Sequence, residues 1–315
     1  MPQVKLDYYD HPVFSPQELH FETNAMDHLC NELHRWLWNG ITGGLVYGHA
    51  RDGKTKAVLA MIDRLFTRGA VQVPVYYVST PPRDRRVILT IFRQLCWKHD
   101  LRVKDRDPAD ILAERFVNFI ADNAIKTACQ NAVLIVDEMQ RLHVGQFDAF
   151  SEIYDKLQLL KINLMVVFVG NDPACWRIIN HIERPGYAHI RGRFFIQGIA
   201  FNGLLNKQDV TRCLDQYDTL RFPDHGSTYT NFFLPEHVEQ GWKLATLSGD
   251  VWRIFREYQK HYKLTSWGMQ YFISTNNTLL TDFLPRYGVD SIDDDMIHEA
   301  IRISGLVPSL VRPLK

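Results

Sequence analysis

The sequence predicts an α/β fold: a parallel five-stranded sheet flanked by helices, followed by a small helical domain. Three observations predict it. Short, continuous apolar runs alternate with segments of helical periodicity between residues 43 and 201, the pattern of a parallel sheet covered on both faces. After Phe201 the apolar runs stop while helical periodicity continues. A glycine-bounded loop, Gly48-His49-Ala50-Arg51-Asp52-Gly53-Lys54-Thr55, stands between the first apolar run and the first helical segment of the alternating region.

Taken in order, an extended start, "YYDHPVFSP", leads into a helix over 17–40 with Met26, Leu29, Leu33, Trp36 and Leu37 at helical spacing. "GGLVYG" (43–48) is a short buried strand, and 54–69 is a helix closed by Gly69. "VPVYYVST" (73–80) is a second strand, rich in β-branched and aromatic residues. Two helices follow, over 84–99 and 108–128. The third strand is "AVLIVDE" (132–138), followed by a helix over 145–162. The fourth is "NLMVVFVGND" (163–172), followed by a helix starting at Asp172-Pro173. "RFFIQGIAF" (193–201) is the fifth. Beyond it, 206–220, 235–249 and 250–264 read as helices, with a loop or hairpin in "RFPDHGSTYTNFFL". A last helix in the tail is entered through an aspartate cap. The expected organisation is an N-terminal lead-in and helix (1–40), an α/β core (41–202), a helical lid (203–263) and a C-terminal extension (264–315) that docks a partner or completes the lid.

Composition narrows the function classes. The chain has 315 residues, 46% of them hydrophobic, which is the make-up of a globular protein rather than a disordered one. No apolar stretch is long enough for a membrane span, and the first residues carry neither the basic nor the apolar part of a secretory signal. The five cysteines are dispersed without a C-x-x-C pair, so free thiols in a reducing cytoplasm are expected. With 36 basic and 36 acidic residues the net charge is zero. Any contact with nucleic acid therefore needs a local basic stripe.

The loop at 48–55 fits G-x-x-x-x-G-K-[ST] with a strand before it and a helix after it. Glycines let backbone N–H groups turn inward around a phosphate, and the next helix aims its positive N-terminus at the same anion. Gly48 to Thr55, with Lys56, form the candidate phosphate-binding set; Lys54 reaches the outer phosphates and the Thr55 hydroxyl ligates Mg2+. "NAVLIVDEMQRL" runs four apolar residues into Asp137-Glu138 at a strand's C-terminal end, where ligands bind in open α/β sheets. Asp137 would hold Mg2+ through water, and Glu138 would polarise the attacking water. Asn171, at the end of the fourth strand, either orients that water or the γ-phosphate beside Glu138 or simply starts a helix. In "HIRGRFF", Arg191 or Arg193 is placed to reach a nucleotide held by a neighbouring subunit. In "LSGDVWRIFREY", Arg253 is placed to lean onto the γ-phosphate within its own chain.

In order and approximate spacing this set resembles the AAA+ superfamily of P-loop NTPases. More narrowly, "GLVYGHARDGKTKAV", "AVLIVDEMQRL", "FVGNDPACW" and "RGRFF" resemble the TnsC/TniB group of transposition regulators, over roughly residues 10–262. The resemblance implies a cytoplasmic protein with ATP and Mg2+ as cofactors and an ATPase dependent on oligomerisation. It implies a homo-oligomeric ring or helical filament on double-stranded DNA, linking a TniQ-like target selector to transposase subunits, with hydrolysis driving disassembly. Residue by residue it gives phosphate and metal binding to Lys54 and Thr55, metal and hydrolysis to Asp137 and Glu138, and γ-phosphate sensing to Asn171. It gives the trans role to Arg193 or Arg191 and the lid role to Arg253. His49 and Arg51 make the loop bulkier than the family pattern and are candidates for a subunit boundary.

DNA contact has its own signal. Residues 81–106 carry eight Lys/Arg against three Asp/Glu. Arg83, Arg85 and Arg86 follow the second strand, and Lys98, Arg102, Lys104 and Arg106 cluster after the next helix, where related initiator-type ATPases place DNA contacts. Such contacts to phosphate are sequence-independent and salt-sensitive. The competing readings are a helicase-loader or secretion-type ATPase, a P-loop phosphotransferase, and a signalling or scaffolding ATPase.

Overall fold

A computed structural model of the chain describes residues 8–15, 19–82 and 87–307. The chain divides into two compact units. One comprises residues 26–50 and 54–201; the other comprises residues 1–25, 51–53 and 202–315.

The first unit is built on β1 (Gly43–Gly48), β2 (Val75–Ser79), β3 (Asn131–Asp137), β4 (Asn163–Asn171) and β5 (Gln197–Ala200). All pairings are parallel, in the order β2-β3-β4-β1-β5. Ala132 to Val136 and Leu164 to Val169 are buried throughout, as strands covered on both faces must be. The helices of this unit are α1 (Asn24–Trp38), α2 (Lys54–Ala60), α3 (Ile88–Lys98), α4 (Ala109–Thr127), α5 (Phe147–Leu159), α6 (Trp176–Ile182) and α7 (Ala188–Phe194). One aromatic and aliphatic cluster, including Phe92, Phe116, Phe147, Phe150, Phe168 and Phe194, joins α3, α4, α5 and α7 to the sheet. The register brings Gly48 beside Asn171 and Ser79 beside Asp137, so three predicted site segments, the loop after β1, Asp137-Glu138 and Asn171, lie at one edge of the sheet.

Several element boundaries differ from the sequence expectation. Helix α1 begins at Asn24, because Leu19 and Phe21 are buried in the core of the other unit. Helix α2 ends at Ala60 and passes into a 3-10 turn; the Leu65 carbonyl then accepts from Val73 N–H, closing a bridge between Phe66 and Gln72. Glu138 has φ 59° and has left the strand. Arg191 and Arg193 lie on α7, and β5 starts only at Gln197. Gly44 is required where it stands: a Cβ there would lie 2.4 Å from the Trp36 ring of α1.

The second unit contains α8 (Lys207–Tyr217), a hairpin of β6 (Arg221–Phe222) and β7 (Ser227–Thr228), α9 (Tyr229–Phe233) and α10 (Pro235–Glu239). It continues through α11 (Ser248–Tyr262), α12 (Met269–Thr278), a π-helical turn over Leu279–Phe283, α13 (Leu284–Tyr287) and α14 (Asp294–Ile303). The helix expected over 235–249 is split into α10 and a 3-10 turn at Leu244–Leu247, with Gly241 at φ 87° between them. The α14 cap is as expected: Asp293 Oδ1 accepts from Met296 N–H at 2.9 Å. Residues 264–307 are not a separate appendage. Trp267 stacks on Phe255 of α11 at 4.3 Å, and Phe272, Leu280, Ile297 and Ile301 share one core with Val13, Leu19 and Phe21. His11 is buried within that unit among Phe222, Tyr229, Phe232 and Phe233, with ring centroids 4.6–5.0 Å away.

Two outcomes follow from these contacts. Gly44→Ala must displace Trp36 and is expected to lower the unfolding free energy by about 1–3 kcal/mol, read as a lower midpoint in urea. Burial pushes the His11 imidazole down from 6.5 to about 4. The folded protein then keeps His11 neutral while the unfolded chain takes up a proton first. Its contribution is present above pH 6.5 and is lost as the pH falls from 6.5 to about 4. His11→Phe is expected to flatten the fall in melting temperature across that window.

Candidate functional site

The site is assembled from the C-terminal edge of the sheet. Between Gly48 and Lys54 the chain turns through Arg51 at φ 71° and Gly53 at φ 101°, the left-handed region in which glycine is unstrained. Lys54, only 6% exposed, folds its Nζ back to donate to the Gly48 carbonyl at 2.9 Å and the His49 carbonyl at 2.5 Å. It is the first residue of α2, so the ammonium and the helix N-terminus supply positive potential to the same loop. Lys56 is half-buried, and desolvation lowers its pKa. His49, Ala50, Arg51 and Thr55 are exposed.

Asp137 lies at the end of β3 and is 3% exposed. A buried carboxylate is costly unless donors compensate it, and here three do. Thr55 Oγ1 donates to Oδ2 at 2.7 Å, Tyr77 Oη donates to Oδ2 at 3.1 Å, and the Glu138 N–H donates to Oδ1 at 2.7 Å. Desolvation, then the charge of Asp137 and the hydrogen bond to it, raise the Tyr77 pKa, so the phenol stays a donor. The predicted metal pair, Thr55 and Asp137, is therefore in direct contact. A hydroxyl and one carboxylate fit Mg2+, which keeps several waters and takes its remaining oxygens from phosphates. Among the described residues no group of three or more His, Cys, Asp or Glu side chains gathers into a metal cluster.

The left-handed turn at Glu138 hands its carboxylate to residues that the sequence reading left without a role. Gln140 Nε2 donates to Glu138 Oε2 at 2.8 Å, and the Arg141 guanidinium pairs with the same oxygen at 2.8 Å. Gln140 Oε1 accepts from Asn171 N–H at 3.1 Å, and Arg141 donates to the Thr80 carbonyl at 3.1 Å. The ends of β2, β3 and β4 are thus cross-braced through two side chains. The signal available in sequence was only their closeness to Glu138 in "DEMQRL".

The arginines occupy different settings. Arg193 pairs with Asp155 at 2.9 Å and stands over the Tyr154 ring at 4.7 Å. Arg191 is exposed and donates to the Glu183 carbonyl at 3.3 Å. Two residues apart on a helix, they do not share a face. In the second unit Arg253 is clasped by Asp294 of α14 at 2.6 and 2.9 Å and by Asp250 at 3.3 Å. Those carboxylates, Asp294 first, raise its pKa above the ordinary value.

Of the candidate DNA contacts, Arg83, Arg85 and Arg86 lie outside the described residues. Lys98, Arg102, Lys104 and Arg106 are all exposed. The loop bearing the last three is braced from beneath. Arg115 bonds Asp107 at 2.8 Å and the Arg102 carbonyl, and Arg93 bonds the Asp105 carbonyl at 2.6 Å. The bond from Arg115 holds the Asp107 carboxyl below its ordinary range. Lys98 Nζ stands 5.7 Å from the centroid of the Tyr77 ring.

Residues 41–178 match a family of AAA domains. No curated relative matches the sequence. Among solved structures the chain is similar to the ORC2 protein of Aeropyrum pernix in ADPNP-ADP complexes, at 14% identity and TM-score 0.49 over 91% of this chain and 69% of that one. It is also similar to Cdc6p from Pyrobaculum aerophilum, at 13% identity and TM-score 0.47 over 96% and 85% of the two chains. Drosophila ORC bound to DNA is similar at 14% identity and TM-score 0.49, over 85% and 62%. The parallel β2-β3-β4-β1-β5 sheet, with the Gly48–Thr55 loop after β1, has the AAA+ P-loop fold over the matched residues. Among the described residues no helix is long and apolar enough to cross a membrane.

Tyr77 was not among the residues singled out in the sequence, yet it orients Asp137. Removing a partner that orients a metal-bearing carboxylate costs roughly tenfold or more in metal affinity. Tyr77→Phe is accordingly expected to raise the Mg2+ concentration needed for half-maximal nucleotide binding by about tenfold, read in a Mg2+ titration with a fluorescent nucleotide.

Proposed function

We propose that the protein is a magnesium-dependent ATPase of the AAA+ type that works as an assembly switch on duplex DNA. The observation that carries the hydrolytic reading is the convergence of Lys54 and Thr55, at the start of α2, with Asp137 and Glu138, at the end of β3, on one edge of the sheet. In this reading Lys54 exchanges its bonds to the loop carbonyls for bonds to phosphate oxygens. Thr55 and Asp137 hold Mg2+ directly and through water, and the Glu138 carboxylate accepts hydrogen bonding from the attacking water. Asn171, next to Gly48 across the β1–β4 pairing, is placed to orient that water or the γ-phosphate.

Duplex DNA is the proposed ligand of the exposed Lys98, Arg102, Lys104 and Arg106, with the neighbouring Asp107 already neutralised by Arg115. Arg191 is the better candidate for a contact across a subunit boundary, because Arg193 is committed to Asp155 and Tyr154. Arg253 would act as the lid arginine after exchanging Asp294 for phosphate. The resemblance of the motifs to TnsC/TniB regulators extends the proposal. An ATP-bound ring or filament would link a TniQ-like target selector to a transposase and come apart on hydrolysis.

Purified protein is expected to hydrolyse ATP in the presence of Mg2+, with a rate per subunit that rises with protein concentration and on adding duplex DNA. Lys54→Ala should abolish nucleotide binding, while Glu138→Gln should bind ATP, assemble on DNA and fail to turn over. Arg102→Ala, Lys104→Ala and Arg106→Ala should each lower the salt slope of DNA binding by about one. Phosphate transfer to a small-molecule acceptor, or turnover by Glu138→Gln equal to wild type, would sink the proposal.

A further inference from the structure

The tip of the phosphate loop is held by a part of the chain that the sequence motifs leave unread. Arg51, Asp52 and Gly53 belong to the same compact unit as residues 202–315, and within that unit they meet Ser266 to Tyr271 almost residue for residue. The Arg51 guanidinium lies over the Tyr271 ring, 5.1 Å from its centroid. The Arg51 carbonyl accepts from the Gln270 N–H at 3.2 Å. That donor is in the first turn of α12, where amides have no partner within the helix. Asp52, 2% exposed, accepts from the Ser266 hydroxyl at 3.4 Å, and Ser266 Oγ itself accepts from Gly203 N–H at 3.1 Å. At Gly53 a Cβ would lie 3.4 Å from Met269 Cγ. Gly268, the α12 cap, is equally close to the loop, since a Cβ there would lie 3.3 Å from the Arg51 oxygen. The gripped residues include both positive-φ positions of the loop, Arg51 at 71° and Gly53 at 101°. Such conformations persist where surrounding contacts over-determine them.

We propose that the first turn of α12, through Gln270 and Tyr271, positions the tip of the phosphate loop and so couples phosphate binding to the packing of α12. The proposal rests on the reading of residues 48–55 as a nucleotide site. Lys54 follows Gly53 directly in the chain, so the φ/ψ values that α12 enforces at 51–53 set where the Lys54 ammonium and the α2 N-terminus begin. The coupling is reciprocal: what the turn does to nucleotide affinity, nucleotide does to the turn. It also supplies a role for the side chain of Arg51, which the phosphate-loop pattern does not require. Gln270 and Tyr271 are positioning residues; neither is assigned a contact with the nucleotide.

Three variants isolate the contact. Tyr271→Leu removes the ring face, Tyr271→Phe keeps it, and Gln270→Pro deletes one N–H in the first turn of α12, where no intrahelical bond is lost. Nucleotide affinity is measured with a fluorescent ADP analogue, and hydrogen exchange is followed in the peptide covering 266–278. Tyr271→Leu and Gln270→Pro are expected to weaken binding by about three- to tenfold each, with Tyr271→Phe at the wild-type value. Nucleotide should slow exchange across 266–278 in wild type, and much less in the two weakened variants. Wild-type affinity in Tyr271→Leu and Gln270→Pro, with exchange in 266–278 indifferent to nucleotide, overturns the coupling. A wild-type protein that binds no ADP overturns the nucleotide reading instead. The grip is then judged by Arg51→Ala, which should speed exchange in 266–278 and sinks the inference if it does not.

Discussion

The hydrogen bond between Thr55 and Asp137 is the constraint around which the α/β unit is organised. It needs the start of α2 and the end of β3 at one point, although β4 separates β1 from β3 in the sheet. Parallel pairing in the observed register delivers this, since Gly48 ends beside Asn171 and Val136 runs beside Phe168. The same edge carries Ser79 next to Asp137 and lets Tyr77 reach the carboxylate from β2. A register slip of one residue on β3 would turn Asp137 to the other face of the sheet and leave Thr55 without its acceptor. The burial of β3 and β4 on both faces opposes that slip, because every residue that moved would leave a fitted position in the core.

The second unit solves a different problem. It has no large sheet to satisfy its backbone, so buried side chains do much of the joining. Asp218 accepts from the Thr230 hydroxyl at 2.6 Å, from Leu244 N–H at 2.9 Å and from Ala245 N–H at 3.1 Å. Tyr217 donates to Asn277 at 2.6 Å, and Asn277 donates to the Val13 carbonyl at 2.8 Å, so α8, α12 and the N-terminal segment are tied in one line. Each such group would cost stability if left unpaired. This explains why an N-terminal stretch and the last helices share a core: each supplies partners the other lacks.

What could be read in the sequence depended on how local the determining interaction is. β1, β3 and β4 were readable to within a residue or so because strands buried on both faces are continuous apolar runs. The stretch from Gly48 to Thr55 and the pair Asp137 and Glu138 were singled out by fixed residue types at fixed spacing, and the structure brings Thr55 into contact with Asp137. Arg191 and Arg193 were placed ahead of a strand because "RFFIQGIAF" is rich in apolar residues; the helix there packs Ile190 and Phe194 into the core, which no local pattern announces. The distant partners of Tyr77, Gln140 and Arg253, which are Asp137, Asn171 and Asp294, were not readable. Those bonds join separate strands or helices, and a side chain's identity does not say which distant group it will meet. The expected helix start was too early for the same reason, since Leu19 and Phe21 are drawn into another core.

In the proposed reading, the contacts of Glu138 bear on how hydrolysis would be controlled. One carboxylate oxygen receives both Gln140 and Arg141, and each of these is anchored at the end of a neighbouring strand. A carboxylate paired with a guanidinium is a poorer hydrogen-bond acceptor for water than a free one, because its negative charge is partly neutralised. In the proposed role, polarising a water would require the pair to loosen, with Arg141 moving away from Glu138 while Thr80 still offers it a carbonyl. Thr80 sits immediately before the basic stretch that follows β2, and its own N–H is bonded to the Asp137 carbonyl at 3.0 Å. The surroundings of the Glu138 carboxylate are thus set through Gln140 and Arg141 by backbone at two strand ends. In the proposed reading, nucleotide binding would depend on Lys54, Thr55 and Asp137 and water activation on the Glu138 carboxylate, and the side chains of the two sets have different partners. Such a separation would let a nucleotide be bound and kept until a further event releases Glu138.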